Sequence, residues 1–169
     1  MNISRRTLMR GVGAAGLAAA APGLFSPAIA QAKPVRIGIL APRSGAMGTV
    51  GECGIRAVQW AAARMNKDGG IAGRPIELVF EEETSPKETI ERFRRLVLQE
   101  QVDCVQGLIS TGTSLGVAPV AEEEQALLIM WDGTTQDGVK EAMPKTNYVF
   151  RSTDNECEAV MASLLAVKY

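Results

Sequence analysis

Histidine is absent from the 169 residues of this chain. That absence removes the side chain that most often serves as a general base or as a metal ligand. It also excludes catalytic arrangements of the Ser-His-Asp and Cys-His kinds. The sequence contains no Cys-x-x-Cys pair and no other spacing typical of metal ligands, so it predicts no cofactor and no metal site.

A large excess of charge of either sign is missing as well. The formal net charge is −1 at neutral pH, from 18 basic and 19 acidic residues. This balance gives no indication of nucleic acid or of a membrane surface as a partner. Hydrophobic residues make up 46% and charged residues 22% of the chain, which is typical of a globular protein of about one domain.

The chain has only three cysteines, Cys53, Cys104 and Cys157. Export to an oxidising compartment would favour disulfide bonds, but an odd count leaves at least one thiol unpaired. Cys104 falls within an apolar run. We therefore expect it to be a buried small hydrophobic residue rather than half of a disulfide.

Residues 1–30 have the features of an export signal. Arg5 and Arg6 are paired, a Gly/Ala-rich apolar stretch follows, and Ala28–Ala30 read Ala-Ile-Ala. The small-x-small triplet predicts cleavage before Gln31. The paired arginines resemble the twin-arginine signal, which predicts the twin-arginine export machinery as a partner and a periplasmic location. An uncleaved membrane anchor is the disfavoured alternative, because the stretch is short and rich in Gly and Ala.

Alternating strand and helix signals predict the fold of the remaining chain. Apolar runs predict strands near 35–41, 75–83, 102–109, 126–131 and 148–151. Helical patterns lie between them, near 55–65, 85–97 and 114–124, and a last one runs from 155 to the end. Ser85–Glu88 is a capping box with proline at the first helical position. The alternation predicts an α/β fold, a doubly wound parallel sheet with helices on both faces.

The last helical pattern continues to Tyr169 without a glycine, a proline or a polar tail to close it. Helices usually end with such a signal. We therefore expect further protein to follow.

Three loops rich in Gly, Ser and Thr follow predicted strands, at 42–51, 110–114 and 132–138. Ligands of open α/β sheets bind beyond the carboxyl ends of the strands, where these loops meet. Glycines let backbone N–H groups approach a ligand, and hydroxyls donate or accept hydrogen bonds. The helix start behind 110–114 is expected to offer free N–H groups to a carboxylate.

Other interpretations of these loops stay open. Ser and Thr also cap helices without touching a ligand. The stretch 107–114 resembles a phosphate-binding loop, but Thr113 replaces its lysine and disfavours that interpretation. Trp131 fits either a core position at a strand end or an apolar wall beside a ligand. Asp132 fits either a turn or the rim of a site.

These residues carry a resemblance to a known family. Residues 34–169 are similar to the periplasmic solute-binding proteins of ABC transporters for branched-chain amino acids. The similarity is clearest in the turn "DGGIAG" (68–73) and in the loop "SGAMGTVG" (44–51), with "GLISTGTSLGVAPVAEEE" after the third strand. It implies a two-lobed protein that closes around a small ligand.

The resemblance also implies site residues. In the family, a hydroxyl after the third strand and small residues after the fourth hold the ligand's α-carboxylate and ammonium groups. Carried over, the hydroxyl is that of Thr111, and the second group is Asp132, Gly133 and Thr134. The first loop contributes Ser44 and Val50, and Trp131 is added as a wall.

The chain departs from the family's pattern at three places. Val50 stands where amino-acid binders often carry an aromatic wall, and Asp132 stands where a small residue is usual. Both departures put leucine, isoleucine or valine in doubt, and Trp131 with Asp132 would suit an aromatic acid, an amide or another small metabolite instead. Thr84 and Ser110 occupy the positions of a disulfide in some relatives, so that disulfide is not expected.

The resemblance implies three segments: a signal peptide (1–30), an N-terminal ligand-binding lobe (31–152), and the crossover with the first helix of a second lobe (153–169). The expected protein is a non-enzymatic receptor of an ABC uptake transporter, with a small ligand and a membrane permease as partners and no nucleic acid. The alternative is the ligand-binding domain of a sensory receptor of the same architecture. A hydrolase with a Ser or Thr nucleophile is disfavoured, because histidine and a Gly-x-Ser-x-Gly motif are missing.

Overall fold

The structure, a computed structural model, describes residues 33–132, 136–152 and 156–168, without the side chains of 136 and 156–160. The described strands are β1 (Val35–Ala41), β2 (Ile76–Glu82), β3 (Cys104–Gly107), β4 (Leu128–Met130) and β5 (Val149–Arg151). The described helices are α1 (Gly48–Lys67), α2 (Pro86–Arg94), α3 (Thr111–Glu123), α4 (Gln136–Ala142) and α5 (Glu156–Lys168). A π-helical turn over Arg95–Gln99 extends α2. The predicted export signal lies outside the described residues.

The five strands form one parallel sheet in the order β2-β1-β3-β4-β5. In its register, Val35 of β1 lies beside Ile76 of β2, and Ile37 of β1 lies beside Cys104 of β3. The chain first moves to one side of β1 and then crosses to the other. This arrangement confirms the predicted doubly wound α/β fold.

Apolar clusters lie on both faces of the sheet, because successive strand residues point to opposite sides. On one face, Leu40 and Val105 pack with α2 and α3. On the other, Ile39 and Ala41 pack against Ile55 of α1. Coverage on both faces explains why the strands read as continuous apolar runs rather than as alternating ones.

Helix α2 follows its sequence signals closely. Ser85 is the N-cap, and its side chain accepts a hydrogen bond of 3.4 Å from the Glu88 backbone N–H. Pro86 occupies the first helical position, where a missing N–H costs nothing. Phe93 and Leu96 lie three residues apart on one face and are both fully buried. The predicted cap and the predicted apolar face are thus confirmed.

Helix α1 begins earlier than the sequence indicated. The helical pattern was expected near 55–65, after the Gly-rich loop at 42–51, whereas the helix starts at Gly48. The reason is close packing. A Cβ placed at Gly51 would lie 1.8 Å from the carbonyl oxygen of Pro42, so only glycine lets the first turn approach the end of β1. Here a glycine marks contact between elements rather than a loop.

The structure adds one helix and shifts the bounds of others. Helix α4 was missed, because its seven residues include Gly138 and follow a Gly/Thr-rich stretch. Parallel strands need a crossover connection, and α4 lies within the one between β4 and β5. Helix α3 starts at Thr111, three residues before the expected start at 114. The strands are also shorter at their ends than the apolar runs, except for β1.

The two cysteines with described side chains are both free thiols. Cys53 is exposed on α1. Cys104 on β3 is half-buried, so the expectation of a buried residue holds only in part. Within the described ranges, no helix combines the length and the hydropathy that crossing a membrane would require.

Candidate functional site

The candidate site lies where the chain changes direction across the sheet. Strands β1 and β3 are neighbours, yet the chain leaves β1 for β2 on the far side before it returns to β3. Loops that leave the carboxyl ends of two such strands diverge and leave a crevice between them. The loop after β1 and the loop after β3 meet this condition, and the loop after β4 joins them.

The loop after β3 is held tightly against β1. Leu108 donates its N–H to the carbonyl oxygen of Leu40 at 2.7 Å. Gly107 has φ +131°, and a Cβ there would lie 2.0 Å from the same oxygen. Leu108 itself has φ +64°, which is uncommon for a residue with a side chain. The chain therefore leaves β3 through two unusual backbone conformations in succession.

Helix α3 starts directly behind this loop, with Ser110 as N-cap in extended backbone. The carboxylate of Glu83 serves this helix start. It accepts hydrogen bonds from the N–H of Ile109 at 2.8 Å, from the N–H of Ser110 at 2.9 Å and from the hydroxyl of Thr113. Glu83 is only 4% exposed, so this carboxylate lies inside the protein.

Glu83 changes the expectation for this loop. The sequence predicted a helix start with free N–H groups for a ligand, whereas an internal carboxylate already occupies part of it. Sequence reasoning missed this carboxylate, because no local signal links it to the loop after β3. Glu83 is the last of three consecutive acids, one residue beyond the end of β2 and three residues before the start of α2. A carboxylate is the group that a helix N-terminus favours.

Thr111 is the first residue of α3 and is exposed. Ser114 donates its N–H to the Ser110 carbonyl at 3.0 Å, which closes the first turn. The N–H groups of the first residues of a helix have no acceptor within the helix. Thr111 therefore presents a hydroxyl and a backbone N–H at the predicted edge.

Trp131 and Asp132 reach the same edge from the end of β4. Trp131 donates its N–H to the carbonyl oxygen of Gly107 at 2.8 Å, and Asp132 donates its N–H to that of Leu108 at 3.3 Å. Asp132 is exposed, and the half-buried Trp131 packs against the cluster beneath α1. Two hydrogen bonds thus join the loop after β4 to the loop after β3. The other residues predicted here, Gly133 and Thr134, lie outside the described residues.

The first loop and the first turn of α1 carry two of the predicted site residues, Ser44 and Val50. The hydroxyl of Ser44 donates to Glu82 Oε1 at 2.7 Å, which links the loop to the end of β2. Val50 lies in the first turn of α1 and is 49% exposed, so an apolar side chain is presented there. A cavity of about 410 Å³ adjoins this loop, and Ser44 is the one predicted site residue in its lining, with Arg43, Gly45, Gly48, Thr49, Glu52, Cys53 and Arg56.

The polar groups of the edge are suited to hydrogen bonding. Its described polar groups are a hydroxyl, backbone amides and one exposed carboxylate. Across the described ranges, no group of three or more Cys, Asp or Glu side chains is placed to hold a metal ion. The arrangement can hydrogen-bond one end of a small polar molecule.

A family comparison decides the class of the protein. The model of the family described as "Periplasmic binding protein" matches residues 34–168. The chain belongs to that family. The match covers the whole sheet and all the described helices, and the resemblance noted in the sequence is thereby confirmed.

Individual members give the same result. The chain is 29% identical over 120 residues to "Leu/Ile/Val-binding protein homolog 3" of Brucella melitensis, covering 70% of this chain and 32% of that protein. It is 31% identical over 120 residues to an "Amino acid binding protein" of Pseudomonas aeruginosa, covering 70% and 31%. Among solved structures, the branched-chain amino acid transporter substrate-binding protein LivJ from Streptococcus pneumoniae, in complex with isoleucine, matches with a TM-score of 0.65 and 27% identity. That match covers 73% of this chain and 34% of LivJ.

The matches also show how much of each relative this chain spans. The chain spans about a third of the relatives that it matches, 32% and 31% of the two proteins above.

Proposed function

We propose that this chain is the first lobe of an exported solute receptor that serves an ABC uptake transporter. Family membership supports this role, and so do the names of its relatives, which are binding proteins for amino acids. The observation that carries the proposal is the edge formed by Thr111, Trp131 and Asp132 at the crossover point of the sheet, where Trp131 and Asp132 bond to the end of β3 and the loop after it. The role is non-enzymatic. The comparisons do not favour the alternative, a sensory domain of the same architecture, and we do not propose it.

The ligand is an amino acid or a related small carboxylate or amide. Thr111 offers a hydroxyl and an N–H to an acceptor on the ligand. Asp132 offers a carboxylate to an ammonium or amide group. Gly133 and Thr134 remain proposed members of this set. Trp131 and Val50 supply apolar surface beside it, and Ser44 holds the first loop against β2.

The receptor works by closure of two lobes. Residues 31–152 form the first lobe, and residues 153–169 lead into the second, in a protein longer than this chain. Half of the ligand's surface is covered by each lobe, so the ligand stabilises the closed form through its preference for it. The closed receptor then delivers the ligand to a membrane permease.

Binding to the complete receptor tests this function. Isothermal titration calorimetry with isoleucine, benzoate and glutamine compares an aliphatic amino acid, an aromatic acid and an amide. The informative variant is Thr111→Ala, which is expected to weaken binding by about 1–3 kcal/mol, because a ligand group loses its partner. The matched control is Thr49→Ala, which removes a hydroxyl from the first turn of another helix.

The control also separates two locations. Thr49 lines the cavity of about 410 Å³ beside the first loop, whereas Thr111 does not. Loss of binding in Thr111→Ala alone supports the proposed edge. Loss in Thr49→Ala alone would move the ligand to that cavity and contradict the assignment of Thr111.

Periplasmic export is the second part of the proposal. The signal at 1–30 is read by the twin-arginine machinery and cleaved near Ala30. Replacing Arg5 and Arg6 by lysine keeps the positive charge but removes the pair. We expect the precursor to accumulate inside the cell, as measured by fractionation and immunoblotting. Unchanged export would show that another route reads the signal.

A further inference from the structure

We propose that Glu83 is a positioning residue of the ligand edge. Its buried carboxylate accepts from the backbone N–H groups of Ile109 and Ser110, the two residues before α3, and from the Thr113 hydroxyl in the first turn of that helix. A ligand is therefore directed to the donors of Thr111 and beyond. The inference rests on the proposed function, which assigns this edge to the ligand. The contacts of Glu83 are present without a ligand.

The backbone just before Ile109 has to be held in its conformation by contacts with other parts of the protein. Gly107 and Leu108 both have positive φ, and Leu108 carries a side chain in that conformation. For a residue with a side chain such a conformation costs free energy, and it persists where surrounding contacts determine it. On the upstream side the constraint is the 2.7 Å hydrogen bond from Leu108 to Leu40. On the downstream side it is Glu83, which accepts from the next two N–H groups.

The charge of Glu83 suits the place where it lies. Burying a carboxylate without partners is unfavourable, but Glu83 has three donors, two of which are the backbone N–H groups of the two residues before α3. The positive end of a helix stabilises a negative charge further. With Ile109, Ser110 and Thr113 committed to Glu83, a ligand carboxylate meets a helix start that is already partly neutralised.

The length of the side chain matters because the Glu83 backbone is fixed. Its N–H donates to the Ala41 carbonyl at 3.0 Å, which anchors the residue to the end of β1. From there the carboxylate must span to the loop after β3. Aspartate would keep the charge but would be shorter by one carbon–carbon bond, about 1.5 Å. Both the charge and the reach of glutamate are therefore required.

Amide hydrogen exchange by NMR on the full chain tests this role without a ligand. In the unchanged protein we expect the Ile109 and Ser110 amides to be protected, because Glu83 accepts from both. The Thr111 and Gly112 amides are expected to exchange much faster. This first measurement needs no variant. Exchange of Ile109 and Ser110 at the rate of an unfolded peptide would overturn the proposal.

Glu83→Gln is the informative variant, since it keeps the shape and replaces one acceptor oxygen with an NH₂ group. We expect exchange at Ile109 and Ser110 to quicken by about tenfold or more, while Ile39 in β1 and Val105 in β3 keep their rates. Glu83→Asp should have the same local effect, because it retains the charge but not the reach. Glu91→Gln, on the exposed face of α2, is the matched control for the lost charge and should change none of these four amides.

Two results would contradict the positioning role. Equal acceleration at Ile39 and Val105 would mean that Glu83 supports the stability of the whole fold and has no particular effect on the loop. Unchanged exchange at Ile109 and Ser110 in Glu83→Gln would mean that other contacts hold the loop. Failure of the proposed function would give a different result. The complete, unchanged receptor would bind none of the tested ligands, while the amides of Ile109 and Ser110 would still exchange as expected here.

Discussion

Gly54 of α1 lies directly against the indole ring of Trp131. A Cβ placed at Gly54 would be 2.3 Å from Cζ3 of the ring and 2.8 Å from Cε3, which is closer than a carbon–carbon contact permits. The helix after β1 and the loop after β4 are thus fitted together at this glycine. Trp131 can pack on the helix while its backbone bonds to Gly107 because no side chain intervenes.

Gly54→Ala is therefore expected to displace Trp131. We expect the free energy of unfolding to fall by about 1–3 kcal/mol, as for overpacked positions elsewhere. The fluorescence of Trp131 should shift to longer wavelength and become easier to quench. The measurement belongs in a Trp60→Phe background, because Trp60 is 68% exposed and would otherwise contribute its own emission.

Gly116→Ala is the matched control, since Gly116 also lies inside a helix. A Cβ there would have its nearest contacts at 3.7 Å, an ordinary van der Waals distance. Alanine in a helix interior is more favourable than glycine by about 0.5–1 kcal/mol, so this variant should be more stable. Equal destabilisation by the two variants would argue against a specific conflict with Trp131.

Glu88 predicts a dependence of stability on pH. The Thr84 hydroxyl donates to Glu88 Oε2 at 2.6 Å and lowers the pKa of this carboxyl, and Arg92 and Ser85 act in the same direction. A carboxyl whose pKa is lowered on folding stabilises the protein above its ordinary pKa. That stabilisation is lost as the pH falls through the lowered pKa. Glu88→Gln should thus destabilise the protein at pH 7 but hardly at strongly acidic pH.

Urea unfolding at several pH values measures this effect. The difference in free energy of unfolding between the unchanged protein and Glu88→Gln should shrink steadily below the ordinary carboxyl pKa. Glu91→Gln, on the same helix, should show a smaller difference at neutral pH. A difference for Glu88→Gln that stays constant from neutral to acidic pH would contradict the assignment.

The two described thiols are expected to react at different rates. Burial raises the pKa of Cys104, which lines a cavity of about 230 Å³ with Val97, Val102 and Tyr148 among its neighbours. The thiolate is the reactive form, so iodoacetamide should label exposed Cys53 before Cys104 at pH 8. Mass spectrometry of the tryptic peptides gives both rates. Faster labelling of Cys104 would show that its cavity does not restrict the thiolate.

How much of this architecture the sequence reveals depends on the range of each interaction. Strand β1 and the Ser85 cap were predicted correctly, because an apolar run and a capping box act within a few residues. Helix α4 was missed because its own residues carry no clear helical signal. A connection of this kind is required by the parallel pairing of β4 with β5. The early start of α1 depends on the close approach of Gly51 to Pro42, which no local pattern expresses.

Predictions for the site also succeed or fail according to the range of each interaction. Thr111 and Asp132 could be placed at one edge because strand order alone brings the loops together. Glu83 could not be assigned, since it lies 26 residues from Ile109 in sequence and reads as one more acid in a polar run. The hydroxyl of Ser44 donates to Glu82, a partner that the sequence did not indicate, and its contact with a ligand stays a prediction. Distant polar partners of this kind become visible only in three dimensions.

Asn66, near the C-terminal end of α1, also bonds to a residue of another element. Its side-chain amide donates to the Ile76 carbonyl at 2.9 Å and accepts from the Ile76 N–H at 2.7 Å. The side chain thereby pairs with the first residue of β2 as a neighbouring strand would. The turn between them, 68–73, contains three glycines with positive φ, so the chain itself supplies little rigidity there. Asn66 is expected to fix how α1 leads into β2.

Asn66→Ala should lower the free energy of unfolding by about 1–3 kcal/mol, because it leaves both polar groups of Ile76 without that partner. Asn66→Asp keeps the acceptor but brings a carboxylate against the Ile76 carbonyl and the negative end of α1, so it should be no better. Lys67→Ala, at the next position, is the control and should change stability by no more than about 0.5 kcal/mol. Urea unfolding ranks the three variants. If Asn66→Ala matched Lys67→Ala, the glycine turn alone would be sufficient to connect the helix to the strand.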